Sequence, residues 1–244
     1  MPVNPNDYAE TYTGRQFRLD DPRPRFSILD IARSLSQKCR YNGHTRRFYS
    51  VAEHCVTIAY YLDVVCKADL RTQYHGLMHD GSEGYLPDIV KPFKWRFPEL
   101  VAEEHRLDGL IREWAGLDHD VPRLVKELDV RIVKDERAQV CTSSRNVWTV
   151  DGLEPLRVKL HGWDPETAYV RFLSAYQTIA SEYLGRPVLL AYDEGEFLSG
   201  HHSDLRRGTN LDYRLIDLRG GVAQVGTGDE MWFQHADFDL FVRR

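Results

Sequence analysis

The sequence predicts a mainly α-helical protein with a small β-rich extension at its C-terminus. Two observations carry this prediction. Between residues 27 and 185, apolar residues recur at spacings of three and four, which is the period of an amphipathic helix. After Gly185 the pattern changes to short β-like runs separated by clusters of Gly, Asp and Asn. We therefore expect three segments: an extended lead-in over 1–26, a helical bundle domain over 27–185 and the β-rich extension over 186–244.

Composition restricts the class of protein. The chain has 244 residues, of which 42% are hydrophobic and 28% charged, and its formal net charge is −5. That acidic balance argues against binding to a nucleic-acid polymer, because such proteins are usually basic. The sequence shows neither a membrane-spanning apolar run nor the profile of a signal peptide, so we expect a cytoplasmic protein. The four cysteines form no C-x-x-C pair and are predicted to be reduced and mostly buried.

Six helices are predicted from caps and stop signals, over 27–39, 50–65, 68–83, 98–116, 122–140 and 164–185. Ser27 and Ser50 are the N-caps of the first two, and Glu53 is the expected partner of Ser50 in a capping box. Pro98 and Pro122 open the fourth and fifth helices. The weaker stretch over 142–162 contains a β-like run, LRVKLHG.

Four residues on three of these helices are candidate metal ligands. His54 lies on the second helix, His79 and Asp80 on the third, and Asp129 on the fifth. Neutral imidazoles and carboxylates suit a borderline divalent cation, and facing helices of a bundle can bring them together. Each residue alone has an ordinary interpretation as a packing or surface residue. The order His, then His-Asp, then Asp on successive helices makes the set a candidate metal centre.

With these residues the chain resembles the HD superfamily of metal-dependent phosphohydrolases, whose H…HD…D signature matches His54, His79, Asp80 and Asp129. Within it, the chain is most similar to the 5′-deoxynucleotidase-like branch of bacteria and phages. The similarity covers roughly residues 12–185. Its strongest stretch reads HD-x2-E-x4-D-I-x2-P-x-K, and a second stretch, CRYNGHTRRFYSVAEH, ends at the first metal histidine. The resemblance implies an HD-domain helical bundle.

The resemblance also implies catalytic roles for two carboxylates. Glu83 lies four residues after His79, so both would share one face of the predicted helix, and Glu83 could orient a water or a metal ligand. Asp88 lies in the following loop, where it could relay a proton to the leaving sugar oxygen. Which carboxylate does which is left open by the sequence.

Six residues are candidate substrate contacts: Arg40, Tyr41, His44, Arg46, Arg47 and Lys94. Arg40 and Lys94 match family positions, and Arg40 takes the phosphate-binding position. Arg46 and Arg47 are either further phosphate contacts or surface charges. Tyr41 either stacks near the sugar or base or lies at the edge of the core. His44 is a candidate for contact with substrate or an extra metal, although a loop histidine usually does neither.

The leading hypothesis is a hydrolase that releases phosphate from deoxynucleoside 5′-monophosphates. A first alternative uses the same site to cleave deoxynucleoside triphosphates to nucleoside and triphosphate, with Arg46 and Arg47 holding the β- and γ-phosphates. A second is a catalytically inactive nucleotide sensor. The ligand set fits Mn, Co, Fe or Zn, with Mg at additional oxygen-rich sites. Relatives of this branch often form oligomers, so the resemblance implies a homo-oligomer. We expect a small nucleotide as its substrate and no membrane as a partner.

Overall fold

The computed structural model describes residues 7–94 and 96–186, residues 188 and 190, and two short strands at 223–225 and 231–233. The chain divides into two compact units, Met1–Ala175 and Tyr176–Arg244. The described part of the first unit is mainly helical, which confirms the predicted mainly α class. Apart from the antiparallel pair formed by the two short strands, most of the predicted β-rich extension lies outside the described residues.

The elements follow one another in this order: β1 (Ala9–Glu10), β2 (Gln16–Phe17), α1 (Ile28–Gln37), a first 3₁₀ helix (Tyr41–Gly43), α2 (Val51–Val64), α3 (Leu70–Met78), a second 3₁₀ helix (Gly81–Gly84), α4 (Lys91–Lys94), α5 (Pro98–Ala115), α6 (Arg123–Gln139), α7 (Pro165–Leu184), β3 (Ala223–Val225) and β4 (Met231–Phe233). Five predicted helices correspond to α1, α2, α5, α6 and α7. The predicted extended lead-in contains the β1–β2 hairpin, and the short helix α4 was not predicted.

The predicted caps are present at several helix ends. The hydroxyl of Ser50 accepts a hydrogen bond from the backbone N–H of Glu53 at 3.0 Å. Asp164 accepts from the backbone N–H groups of Glu166 and Thr167 at 3.1 and 3.0 Å. At the other end of α5, Gly116 has the left-handed conformation, with φ 76°, that commonly ends a helix. These local signals fixed the helix boundaries to within a few residues.

The predicted third helix over 68–83 is wrong over its last five residues, 79–83. Helix α3 ends at Met78, and Asp80 leaves helical geometry with φ −101° and ψ 22° before the second 3₁₀ helix begins. Adjacent side chains on an α-helix point in different directions, so an unbroken helix would aim His79 and Asp80 apart. The break lets both face one point. It also means that Glu83 does not share an α-helical face with His79.

The core of the first unit brings α2 and α6 together. One cluster of buried apolar side chains comes from α2, from α6 and from the segment that follows α6: Ile58, Leu62, Val125, Leu128, Ile132 and Leu156. Full burial of such a side chain is worth about 1.5–3 kcal/mol. This packing holds the first turns of α2, which carry His54, beside the middle of α6, which carries Asp129.

The predicted β-like run over 156–162 is not a strand. Arg157 interrupts it with a left-handed φ of 62°, and the backbone N–H groups of the run donate to side chains of α6. Leu156 and Val158 donate to the two oxygens of Asp135 at 2.7 and 3.1 Å, and Leu160 donates to Gln139 Oε1 at 3.0 Å. The alternation of apolar residues is satisfied, because Leu156 and Leu160 are buried. Side chains of α6 therefore supply the hydrogen-bond acceptors that a neighbouring strand would supply in a sheet.

Glu53 of α2 holds the end of this extended segment. Its buried carboxylate accepts three consecutive backbone N–H groups of residues 161–163 at 2.6, 3.0 and 2.7 Å. The predicted capping box at Ser50 is therefore only half formed, because this carboxylate is bound to another segment. The first turn of α2 is fixed in place as a result.

All four cysteines are free thiols, two of them buried and two partly buried, as expected for reduced residues. Among the described residues, we find no helix with the length and apolar character needed to cross a membrane.

Candidate metal centre

Four side chains converge from α2, α6 and the turn after α3. His54 Nε2 lies 3.2 Å from His79 Nε2, 3.3 Å from Asp129 Oδ1 and 3.7 Å from Asp80 Oδ2. His79 Nε2 lies 3.4 Å from Asp80 Oδ2 and 3.8 Å from Asp129 Oδ1. With metal–ligand bonds of about 2.1 Å, neighbouring ligand atoms lie roughly 3.0–3.4 Å apart. The cluster has dimensions close to these and can hold a metal ion.

The other ring nitrogen of each histidine faces an acceptor. His54 Nδ1 lies 2.7 Å from Glu136 Oε1, and His79 Nδ1 lies 2.8 Å from the carbonyl oxygen of Gly76. These acceptors place the proton of each neutral ring on Nδ1 and leave the Nε2 lone pair directed into the cluster. Both rings therefore have the tautomer that metal binding requires.

The electrostatics of the cluster keep its carboxylates available as ligands. Burial alone would raise the pKa of Asp129, but hydrogen bonds with His54 and His79 hold that pKa well below its usual range. Burial would lower the pKa of His79, yet the charge of Asp80 raises it well above the ordinary value. The charged forms of Asp129 and His79 are thus both favoured by their neighbours. A divalent cation would interact favourably with the same carboxylates.

Glu136 of α6 contacts the cluster and was not among the residues predicted from the sequence. It is completely buried, and its Oε1 lies 3.3 Å from Arg40 Nε in addition to its contact with His54. The hydroxyl of Tyr41 donates to Oε2. Burial would raise its pKa, but the charges of Arg40 and His54 lower it to about 2. Glu136 follows Asp129 by seven residues, or about two helical turns, so both lie on the same face of α6.

Arg40 and Tyr41, both predicted substrate contacts, lie beside the cluster. Arg40 Nη1 is 3.5 Å from Asp80 Oδ2. Tyr41, Asn42 and Gly43 form a left-handed turn with φ 58°, 52° and 76°. A left-handed conformation costs a non-glycine residue about 1–3 kcal/mol, and such strain is often found at functional sites. The ring of Tyr41 contacts that of Trp148 at a centroid distance of 6.0 Å.

The two predicted catalytic carboxyl groups have raised pKa values. Glu83 is buried, and its Oε2 has no hydrogen-bond partner among the described residues. Burial, followed by the charges of Asp80 and Asp88, raises the pKa of Glu83 well above its ordinary value. Burial also raises the pKa of Asp88, while the charge of Arg40 opposes the shift. Both carboxyl groups therefore hold a proton more readily than a solvated carboxyl group does.

Lys94 lies on the Glu83 side of the site. Its Nζ donates to Glu104 Oε1 at 2.6 Å and lies 3.9 Å from Glu83 Oε1. Burial would lower the pKa of Lys94, but its hydrogen bond to Glu104 raises it. Lys94 therefore brings a positive charge close to one of the predicted catalytic carboxyl groups.

The remaining predicted substrate contacts are Arg46, Arg47 and His44, and the two arginines donate to backbone carbonyl oxygens. Arg46 Nη2 donates to the carbonyl oxygens of residues 138 and 139, at the end of α6, both at 3.3 Å. Arg47 donates to the carbonyl oxygens of residues 161 and 160 at 3.1 and 2.7 Å. His44 is exposed after the first 3₁₀ helix. Both guanidinium groups thus stabilise the backbone of neighbouring segments.

Cys55 adds a thiol that was predicted only to be buried. Its sulfur and ligand atoms of His79 and Asp80 all lie within 4.8 Å of one another. Burial raises the pKa of the Cys55 thiol, although the neighbouring His79 acts in the opposite direction. Because a thiolate rather than a thiol binds metal, the His/Asp set is the better ligand set.

Fold and site together define a mainly α-helical protein with a buried His/Asp cluster that can hold a metal ion. The chain matches no family model. It is 33% identical over 146 residues to the uncharacterized protein YfdR of Escherichia coli strain K12, and the matched part covers 59% of this chain and 78% of YfdR. The chain belongs to the same family as YfdR.

Proposed function

We propose that the protein is an HD-superfamily phosphohydrolase that depends on a divalent metal and acts on deoxynucleotides. Its proposed reaction is the release of phosphate from deoxynucleoside 5′-monophosphates. The observation that carries the proposal is the pair of Nε2 atoms of His54 and His79, 3.2 Å apart, with Asp80 and Asp129 beside them. The choice of a deoxynucleotide rests on the resemblance of the H…HD…D signature and of the segment before His54.

The donor set suits a borderline divalent ion. Two imidazoles and two carboxylates fit Mn, Co, Fe or Zn, whereas Mg would suit additional oxygen-rich positions. Such an ion, held by the four ligands, would supply a Lewis acid for a phosphoryl oxygen and would lower the pKa of water toward about 7.

The carboxyl groups near the centre would move the protons of the reaction. Glu83 has a buried oxygen without a hydrogen-bond partner among the described residues, so it can orient the attacking water and take its proton. Asp88, whose pKa is raised mainly by burial, can give a proton to the sugar oxygen as that oxygen leaves phosphorus. Arg40 would bind the phosphate, because its Nη1 lies beside the ligand Asp80.

The contacts of two arginines favour a monophosphate over a triphosphate. Cleavage of a deoxynucleoside triphosphate would use Arg46 and Arg47 to hold the β- and γ-phosphates. Both guanidinium groups instead donate to backbone carbonyl oxygens. Using them for phosphates would require these hydrogen bonds to break. We therefore propose the 5′-nucleotidase reaction as the principal activity.

Turnover of a nucleotide panel tests the proposal. The metal-loaded protein should release inorganic phosphate from deoxynucleoside monophosphates, and His79→Gln should lose both metal and activity by more than about 100-fold. A matched control is His119→Gln, because His119 is an exposed histidine paired with Glu113 and should leave both unchanged. Release of triphosphate would favour the first alternative. Metal and nucleotide binding without turnover would refute hydrolysis and favour the inactive sensor.

A further inference from the structure

Glu136 connects a metal-ligand candidate with the turn that carries the proposed phosphate contact. Oε1 faces both His54 Nδ1 at 2.7 Å and Arg40 Nε at 3.3 Å. Oε2 accepts from the hydroxyl of Tyr41 and lies 3.5 Å from Arg40 Nη2. The Glu136 side chain is fully buried, so bulk water does not compete for these bonds.

We propose that Glu136 is a positioning residue that links metal binding at His54 to anion binding at Arg40, so that each event strengthens the other. The inference rests on the proposed function because it takes a phosphate group as the anion. Beyond that function, metal binding and phosphate binding are thermodynamically coupled through Glu136. The chemical class of the ligand is a phosphate monoester or free phosphate.

The orientation of Arg40 follows from its contacts with Glu136. Two of its three guanidinium nitrogens, Nε and Nη2, face the carboxylate. The third, Nη1, lies 3.5 Å from Asp80 Oδ2 and so points toward the ligand cluster. An anion would therefore meet Arg40 through its Nη1 edge, on the side of the metal ligands. Without Glu136, a flexible arginine would lose this orientation and bind phosphate less well.

The coupling has a direct physical origin. A cation at Nε2 of His54 withdraws electron density from the ring and makes Nδ1–H a stronger donor to Glu136. Oε1 of Glu136 also lies 3.3 Å from Arg40 Nε as an ion pair, and polar contacts to one buried carboxylate influence one another. The same carboxylate fixes Arg40 and the left-handed turn at Tyr41, where strain opposes the observed conformation. Because linkage is reciprocal, a phosphate held by Arg40 must tighten metal binding by the same factor.

Binding measurements with Co²⁺ and inorganic phosphate test this linkage. In Glu136→Gln, affinity for Co²⁺ should fall by about 10- to 100-fold. The decisive measurement is phosphate affinity when the protein is saturated with Co²⁺, and there it should still fall at least about fivefold. Asp135→Asn is the matched control, because Asp135 is a buried carboxylate on the same helix that binds the extended segment. It should lower stability but leave both affinities within about twofold.

Tyr41→Phe provides a second test that keeps the charge of Glu136. It removes the hydroxyl that anchors the turn, so it should weaken phosphate binding while Co²⁺ affinity changes less. Wild-type phosphate affinity in Co²⁺-saturated Glu136→Gln would overturn the inference, since Glu136 would then act on His54 alone. A wild-type protein that couples Co²⁺ and phosphate but hydrolyses no nucleotide would refute only the proposed function. Hydrolysis without coupling would refute only the linkage.

Discussion

Nε2 of His54 lies 3.2 Å from Nε2 of His79, and Nδ1 of each ring faces an acceptor. These two ring nitrogens lie beside the carboxylates of Asp80 and Asp129, so the four groups form a set of ligands that a cation would bring together. Metal should therefore stabilise the fold. At a metal concentration 100 times the Kd, the expected gain is about 2.7 kcal/mol. For a protein of this size that corresponds to a rise in Tm of roughly 5–10 °C.

Calorimetry of chelator-treated protein, with and without added Mn²⁺ or Zn²⁺, measures this gain. His79→Gln should abolish most of the shift, because it removes one of the two imidazole ligands. An equal shift in the wild type and in His79→Gln would show that the metal binds elsewhere.

The four ligand candidates could be predicted because their residue types and order along the chain are specific. The role of Glu136 was missed because a glutamate within the run KDER is ordinarily a solvated helix residue. Only the packing of α6 against α2 shows that this side chain is buried against His54. The helix break before Asp80 had a sequence signal in Gly81 and Gly84.

The segment over 156–163 shows a second feature that the sequence could not predict, namely the hydrogen-bond partners of its backbone. Alternating apolar residues predicted a β-like run; Leu156 and Leu160 are buried, but no strand forms and Arg157 has a left-handed φ of 62°. They could not predict the hydrogen-bond partner, because Asp135 and Glu53 are distant in sequence and are side chains rather than a strand. The period of the apolar residues predicts which side chains are buried. It does not predict which groups accept hydrogen bonds from the backbone N–H groups.

Glu53→Gln should destabilise the fold markedly. The carboxylate accepts three backbone N–H groups of residues 161–163 and is buried, so its replacement weakens three charge-assisted hydrogen bonds at once. We expect the free energy of unfolding to fall by about 2–4 kcal/mol. Urea denaturation measures this loss. The control is Glu166→Gln, because the Glu166 carboxylate is 65% exposed and pairs with Arg33. It should cost less than about 1 kcal/mol, and a similar loss in both variants would contradict the prediction.

Gly162→Ala should also be destabilising. Gly162 has φ 69°, and a Cβ placed there would lie 3.0 Å from the carbonyl oxygen of Phe48. Strain in φ and this close contact together should cost about 1–3 kcal/mol. Gly152→Ala is the matched control, since a Cβ at Gly152 meets no atom within 4 Å and its φ is not positive. Thermal or urea unfolding of both variants checks the prediction, which fails if the two proteins are equally stable.

His75 should make the fold sensitive to acid. It is buried, and burial followed by the charge of Arg71 lowers its pKa from 6.5 to about 4, although Asp118 opposes the shift. The unfolded chain therefore binds more protons than the folded chain between about pH 6.5 and pH 4. The stability associated with a neutral His75 is complete above pH 6.5 and is lost as the pH falls through that window.

The urea midpoint at several pH values between 7 and 4 measures this loss. In His75→Gln the part of the pH dependence that comes from this group should disappear, so the variant's midpoint should fall less steeply than that of the wild type. His119→Gln removes an exposed histidine instead and should keep the wild-type slope. Equal slopes in the wild type and in His75→Gln would mean that other groups, such as the buried carboxylates, account for the acid sensitivity. Because the comparison is between slopes, it holds even if the substitution lowers stability at every pH.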